Sequence, residues 1–224
     1  GYCGQITLGH AAFIAVGAYV TAMGVLFWGL PYPLAALLGC LAAGLWSVVF
    51  GLPSARIKGF YQIMTTMAAQ FITVDFIITH YVSRVGGREH YFSLPPGTIT
   101  IGGWPVDSEV KVYYLATALT FVCFAALANL LRTKVGRAWI AIRDNDIAAE
   151  AMGVNVVAYK LLAFFAAGVL AGVAGAVWIP SLLFVSPEHF QLSWSLWIVG
   201  VILIGGVGSL HGVAFGAIFV TVIL

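Results

Sequence analysis

Charge is what this chain has least of. Only 8% of its 224 residues are Asp, Glu, Lys or Arg, against roughly 25% in soluble globular domains. A water-soluble surface cannot be built from that, and the 62% of residues that are hydrophobic need another solvent. The net charge of +2 is too small, and its basic residues too scattered, for nucleic acid. Cys-x-x-Cys spacing is missing: Cys3, Cys40 and Cys123 sit in or beside apolar stretches and read as small buried hydrophobes. His10, His80, His90, His189 and His211 lack metal-ligand spacing, so no metal and no cofactor is expected. There is no Gly-x-Ser-x-Gly elbow and no P-loop ending in Gly-Lys-Ser or Gly-Lys-Thr, so no catalytic residue is assigned. If ATP drives this protein, another chain must hydrolyse it.

What is present is apolar sequence in long continuous runs. Transmembrane β-strands alternate apolar and polar residues over about ten positions; the runs here are unbroken and about twice as long, so helices are the spanning element. Six can be drawn, at residues 6–30, 33–52, 60–82, 112–131, 161–185 and 194–224. The first five fit a hydrocarbon core of about 30 Å. The sixth is too long for one straight helix and is interrupted by Gly205-Gly206-Val207-Gly208-Ser209-Leu210-His211-Gly212, which predicts a broken or sharply bent span with polar residues at membrane depth. The expected fold is therefore an all-α polytopic transmembrane helix bundle, a single domain over residues 1–224. The chain opens without Met or a basic leader and stops inside an apolar run, so it is expected to be a piece of a longer protein.

Lys and Arg are retained on the cytoplasmic side of a membrane. Arg56, Lys58, Arg132, Lys134, Arg137, Arg143 and Lys160 fall on one side of the alternating spans, and Arg84, Arg88 and Lys111 on the other. Residues 132–160 are thus expected to be a cytoplasmic loop and 83–111 a periplasmic one, ordered by Gly86-Gly87, Pro95-Pro96-Gly97 and Gly102-Gly103-Trp104-Pro105, with a short hairpin at 98–101.

Most connections between spans are only a few residues long, so the 132–160 loop requires an explanation. Val135, Trp139 and Ile142 recur at helical spacing while Arg137 and Arg143 lie off that stripe, which predicts a short amphipathic helix at the membrane surface. Asp144, Asn145 or Asp146 can cap a second helix, Ile147-Ala148-Ala149-Glu150-Ala151-Met152, that Gly153 closes in a left-handed conformation, and Asn155 can cap the next span. Isolated helices below about 12 residues are marginal in water. Something must hold this one: its own membrane domain, or a groove on a partner subunit.

The stretch 147–153 resembles the Glu-Ala-Ala-x-x-x-Gly coupling motif of ABC importer permeases, with Ala148, Ala149 and Gly153 matching and Ile147 standing in place of the Glu. Gly136-Arg137-Ala138 followed by Ala141-Ile142-Arg143-Asp144-Asn145-Asp146-Ile147-Ala148-Ala149-Glu150-Ala151-Met152-Gly153 is similar to the cytoplasmic loop of the LivM-type branched-chain amino-acid permease family. Gly4-Gln5-Ile6-Thr7-Leu8-Gly9-His10-Ala11-Ala12-Phe13, Val185-Ser186-Pro187-Glu188 and Gly205-Gly206-Val207-Gly208-Ser209 resemble it in the same order, so the likeness covers nearly the whole chain. It implies an ABC importer permease in a bacterial inner membrane, with two cytoplasmic ATPase subunits, a related second permease subunit and a periplasmic amino-acid-binding protein as partners. It also implies that Arg143, Asp144, Asn145, Asp146, Ile147, Ala148, Ala149, Glu150 and Gly153 couple to the ATPases.

Two sets of polar residues are candidates for the translocation path. On the third span Gln62, Thr66, Gln70, Thr73 and His80 fall within about 80° of arc at roughly 100° per residue, and Asp75 lies roughly opposite. Such a stripe either bonds neighbouring helices or lines a wet path. Gln5, Thr7, His10, Ser209 and His211 stand in glycine-rich segments near the chain ends, where unwound backbone can meet polar ligands or small residues can let helices approach. The rival readings are a urea or short-chain amide importer, an ion-coupled secondary transporter, for which Asp75 alone is thin support, and a membrane scaffold that moves nothing.

Overall fold

The computed structural model describes residues 2–57, 59–82, 91–95, 98–101, 104–106 and 108–223. Lys58, Arg84, Gly86, Gly87, Arg88, His90, Pro96, Gly97, Gly102 and Gly103 lie outside them, as do the readings placed there. Among the described residues, nine α-helices follow in chain order: α1 His10–Leu26, α2 Tyr32–Ala55, α3 Phe60–Phe71, α4 Glu109–Arg132, α5 Lys134–Asp144, α6 Asp146–Ala151, α7 Val156–Leu182, α8 Leu192–Gly205 and α9 Leu210–Ile223. Helix α3 continues as a π-helix over Ile72–Val82. By length and composition, Tyr32–Ala55, Phe60–His80, Glu109–Arg132, Val156–Leu182 and Pro187–Gly205 can each cross a bilayer.

The core is a three-helix contact of α1, α2 and α7, and small residues set its spacing. A Cβ on Gly17 would lie 2.6 Å from the Gly172 Cα, and one on Gly172 would lie 2.6 Å from the Cys40 Cα. Helices this close trade side-chain bulk for extensive van der Waals contact, which matters where lipid removes the hydrophobic drive for helix association. Hydroxyls tie the same helices together: Tyr32 donates to the Ala176 carbonyl at 2.9 Å and Ser47 to that of Phe164 at 2.8 Å. Helix α4 has no buried residue and packs on the bundle through Val112 and Leu115 at one end and Leu130 and Leu131 at the other.

At one end, two short antiparallel pairs cover the bundle. Phe92–Ser93 pairs with Phe184–Val185, and Thr100–Ile101 with Trp104–Pro105. A hairpin is expected within 98–101; the pair found lies later, its first strand at Thr100–Ile101 and its second at Trp104–Pro105. Phe92, Leu94, Ile99 and Val106 are buried against α1, and Tyr19, Phe27 and Phe190 meet Phe92 or one another edge-on. The described parts of this connection are packed through Phe92, Leu94, Ile99 and Val106; the turn formers Gly86-Gly87, Pro96-Gly97 and Gly102-Gly103 lie outside the described residues.

The other end holds Arg143 and Lys160. Ile57 and Gly59 share a cavity with Asn145 and Lys160, so the two connections expected on one side do lie together.

Three features depart from the sequence expectation in ways that bear on the site. The first span starts at His10, not Ile6, because Gly4 adopts φ +69° and the segment up to Gly9 is non-helical. The sixth segment breaks at its glycines, Gly206 (φ +96°) and Gly208 (φ +88°), and its halves fold back on each other. Gly205 abuts Gly212, and a Cβ on Gly216 would come 2.5 Å from the Val201 carbonyl, the register of an antiparallel pair. Ser209 therefore sits in the turn on the charged end, next to the Gly208 that Arg143 contacts, and His211 in the first turn of α9, rather than midway along a span. Finally, His80 leaves the buried stripe of α3 and is exposed, because π-winding advances each residue by less than the 100° assumed for an α-helix.

Candidate coupling loop and polar path

Thr133 ends α4 and starts α5 in one residue. Its extended backbone (ψ 179°) turns the chain, and its hydroxyl accepts from the Val135 N–H at 3.2 Å. The turn is tight enough that a Cβ on Gly136 would run into the Leu131 carbonyl. Helix α5 then buries Ala138, Trp139 and Ile142, with Val135 partly covered, while Arg137 and Arg143 stay exposed. The Trp139 indole donates to the Tyr159 carbonyl at 2.9 Å, pinning α5 to the base of α7. Cys3 joins this cluster. Its burial pushes the thiol above its ordinary pKa, with nearby Lys160 pulling part of the way back.

Of the three possible caps for the next helix, Asn145 serves. Its Oδ1 accepts from the N–H groups of both Ile147 and Ala148 at 3.1 Å, satisfying two of the donors that a helix start leaves open. Gly153 follows at φ +84°, where its missing Cβ removes the left-handed penalty. Asn155 caps α7 through the Ala158 N–H at 3.1 Å. Replacing Asn145 by Ala is expected to cost about 1 kcal/mol and to raise hydrogen exchange at Ile147 and Ala148 first, as measured on the full-length protein; unchanged protection there would show that the cap is not what holds α6.

Helix α6 buries one residue, Ala149, and exposes the rest of its apolar surface. Ile147 is 72% exposed and Met152 85%. A helix of six residues that, with its C-cap Met152, turns two large apolar side chains away from its own domain is held as a projection, not packed as core. Below it, Lys160 and Asp146 approach to 3.7 Å. Arg143 bridges to two other segments: its Cα would lie 3.4 Å from a Cβ on Gly4, and its guanidinium lies against Gly208 in the α8–α9 turn. Spacing in the sequence gives no sign of this contact.

The α3 stripe does specific work at the start of α1, which has no cap of its own. Gln70 Oε1 accepts from the Ala12 N–H at 2.7 Å, Ser195 Oγ from that of Ala11 at 3.0 Å, and Thr66 Oγ1 from that of Leu8 at 3.1 Å. Gln70 Nε2 donates on to the Phe190 carbonyl at 2.6 Å. Thr73 accepts from the Trp46 indole at 3.0 Å. Thr66, Gln70 and Thr73 are thus buried and engaged in joining helices, and Ser195 is a partner that the sequence reading did not single out. Asp75 is on the exposed face of the π-helix.

Other candidates line open space. Gln5, Thr7 and His10 border a cavity of about 230 Å³ closed by α7 and α8, where Thr7 Oγ1 and His10 Nε2 bond at 2.8 Å. Ser209 borders a larger apolar cavity, about 520 Å³, between α4, α7 and the α8–α9 turn, and its hydroxyl accepts from the Gly212 N–H at 3.1 Å to start α9. Gln62 borders a third, about 320 Å³, at the charged end. His211 is exposed in the first turn of α9.

Several helices long and apolar enough to cross a bilayer make this a multi-pass membrane protein. The chain belongs to the family described as branched-chain amino acid transport system / permease component, whose model matches residues 1–224. It is 29% identical to the high-affinity branched-chain amino acid transport system permease protein LivM of Salmonella typhimurium, over 99% of this chain and 57% of that protein, and equally so to LivM of Escherichia coli K12. A probable LivM from Methanocaldococcus jannaschii is 24% identical over 83% of this chain and 53% of its own. The chain thus spans little more than half the length of these relatives. No solved structure matches it.

Proposed function

We infer that this chain is the membrane-spanning part of a permease subunit in an ATP-driven importer of branched-chain amino acids, working in a bacterial inner membrane. The observation that carries this reading is α6: a capped six-residue helix that presents Ile147 and Met152 outward at the end of the bundle richest in Lys and Arg. Basic residues mark that end as cytoplasmic, so the 132–160 loop is the cytoplasmic coupling loop and 83–111 the periplasmic one. Two ATPase subunits on the cytoplasmic side receive α6, through Arg143, Asp144, Asn145, Asp146, Ile147, Ala148, Ala149, Glu150 and Gly153. ATP hydrolysis belongs to those subunits. A second, related permease subunit completes the path and a periplasmic binding protein delivers the amino acid. The names of the relatives that match nearly the whole chain support the substrate class.

In this mechanism, closure of the ATPases pushes α6. Because Trp139 ties α5 to α7, and Arg143 touches both the Gly4 segment and the α8–α9 turn, the push reaches the segments that border the Gln5–Thr7–His10 cavity. Those segments are non-helical or end at glycines, which lets them move without breaking a helix.

The test is uptake by the full-length permease reconstituted in proteoliposomes with its partner subunits, ATP inside and binding protein outside. Leucine, isoleucine or valine should accumulate only when ATP is hydrolysed. Uptake that persists without nucleotide would favour an ion-coupled transporter, and accumulation of urea or acetamide alone would move the substrate class.

A further inference from the structure

The cavity of about 320 Å³ at the charged end is unlike the other two. They are walled mainly by apolar side chains, whereas Gln5, Gln62, Arg143, Asp144, Asn145, Asp146 and Lys160 line this one. Two of its polar groups are nearly sealed from solvent. Gln62 is 6% exposed, and its Nε2 is buried with no hydrogen-bond partner. Lys160 is 8% exposed, and its ammonium reaches Asp146 at 3.7 Å, longer than the roughly 2.7–2.9 Å of a charge-assisted hydrogen bond. A buried amide N–H left unpaired is costly and uncommon in native proteins. A ligand oxygen in the cavity would satisfy it.

The lining also says which ligand. A plain anion would suit Lys160, Arg143 and the Gln62 amide but would face Asp144 and Asp146; a plain cation would meet the reverse. A molecule with both charges on neighbouring atoms satisfies both sets. Ile57 and Ile142 add an apolar wall on which a short aliphatic side chain can lie. We propose that this cavity is a binding site for the zwitterion of an aliphatic α-amino acid. Its carboxylate is held by Gln62 Nε2 and the Lys160 ammonium, and its ammonium by Asp144. Resting on the import reading, this makes the cavity the last station before the cytoplasm. Cys3, Gly4 and Gln5 form one wall of it, and Cys3 and Gln5 also wall the cavity bordered by Thr7 and His10, so cargo passes from one to the other along the non-helical segment.

Binding is measured by calorimetry on the full-length permease–ATPase complex in nanodiscs, without nucleotide or binding protein. The probes are L-leucine, 4-methylpentanoate, which lacks the ammonium, and 3-methylbutylamine, which lacks the carboxylate. Leucine should bind and the two analogues should not. Gln62→Leu and Asp144→Asn should each weaken leucine binding about tenfold, and Gln62→Glu, which sets a second carboxylate against the ligand's own, should weaken it further. Gln62 lies outside the coupling residues, so its two variants decide the test where Asp144→Asn disturbs the ATPase; each variant is compared only where its elution volume and ATPase stoichiometry match the parent complex. Equal binding of the analogues, leucine binding indifferent to all three substitutions, or no leucine binding at all would overturn the proposal. If leucine fails to bind here but is still accumulated with ATP, the exit site alone is wrong. If neither occurs, the import reading falls with it.

Discussion

Replacing Ile147 by Asp is expected to separate the permease from its ATPases while leaving the permease folded. The side chain is 72% exposed, so its own domain loses little. In a partner's groove the same side chain would be desolvated, and a carboxylate in its place would be buried without a counter-charge. Central apolar anchors of interfaces typically contribute about 2 kcal/mol or more, so the ATPase affinity should fall at least about thirtyfold. Pull-down of the ATPases on the tagged, full-length permease reads this directly, and transport should fall in step. The general ABC importer coupling motif has Glu where this chain has Ile147, so a contact made through it would be apolar in place of a polar one. An Ile147→Asp permease that retains its ATPases would show that α6 docks through another face or does not dock.

The second large effect concerns the bundle. Gly172→Leu should abolish stable folding, because the new side chain would start 2.6 Å from the Cys40 Cα, with the Gly39 carbonyl and the Ala43 methyl close behind. Backbone has nowhere to retreat when three helices share the contact. Overpacking alone costs about 1–3 kcal/mol; separating three helices adds lost packing, a large part of a typical stability of about 5–15 kcal/mol. The yield of monodisperse protein in detergent and its melting temperature should both collapse. Gly200→Leu is the matched control: a Cβ there meets nothing within 4 Å, so yield and melting should stay near the parent's. If both variants behave alike, close approach at Gly172 is not what holds the core.

What could be read in advance was local. Asn145, Gly153 and Asn155 each act within three or four residues of their own position, and cap chemistry needs nothing more. The apolar runs and the basic asymmetry were equally legible, since the bilayer imposes them on every segment separately. Contacts between distant residues were not. The start of α1 at His10 depends on Gln70 and Ser195, which lie 58 and 184 positions from their partners. The polar stripe on α3 was visible as a stripe, but only the fold shows Thr66, Gln70 and Thr73 bonded to other segments. His80 was misplaced because a fixed rotation per residue cannot anticipate π-winding over Ile72–Val82. At Gly205–Gly212 the glycines marked the break, but the fold-back depends on Val201 meeting Gly216. The Arg143 contact with Gly208 joins two motifs that the sequence holds more than sixty residues apart.

The account turns on α6 being the surface that a cytoplasmic ATPase grips. Met152→Cys in the full-length, otherwise cysteine-free permease, assembled with its ATPase subunits and treated with a short bifunctional thiol reagent, tests this most directly. The account predicts a covalent permease–ATPase adduct whose yield changes when ATP is bound and is lost in the Ile147→Asp background. Intact complexes that give no adduct from Met152→Cys, while a cysteine on the opposite end of the bundle does, would contradict it.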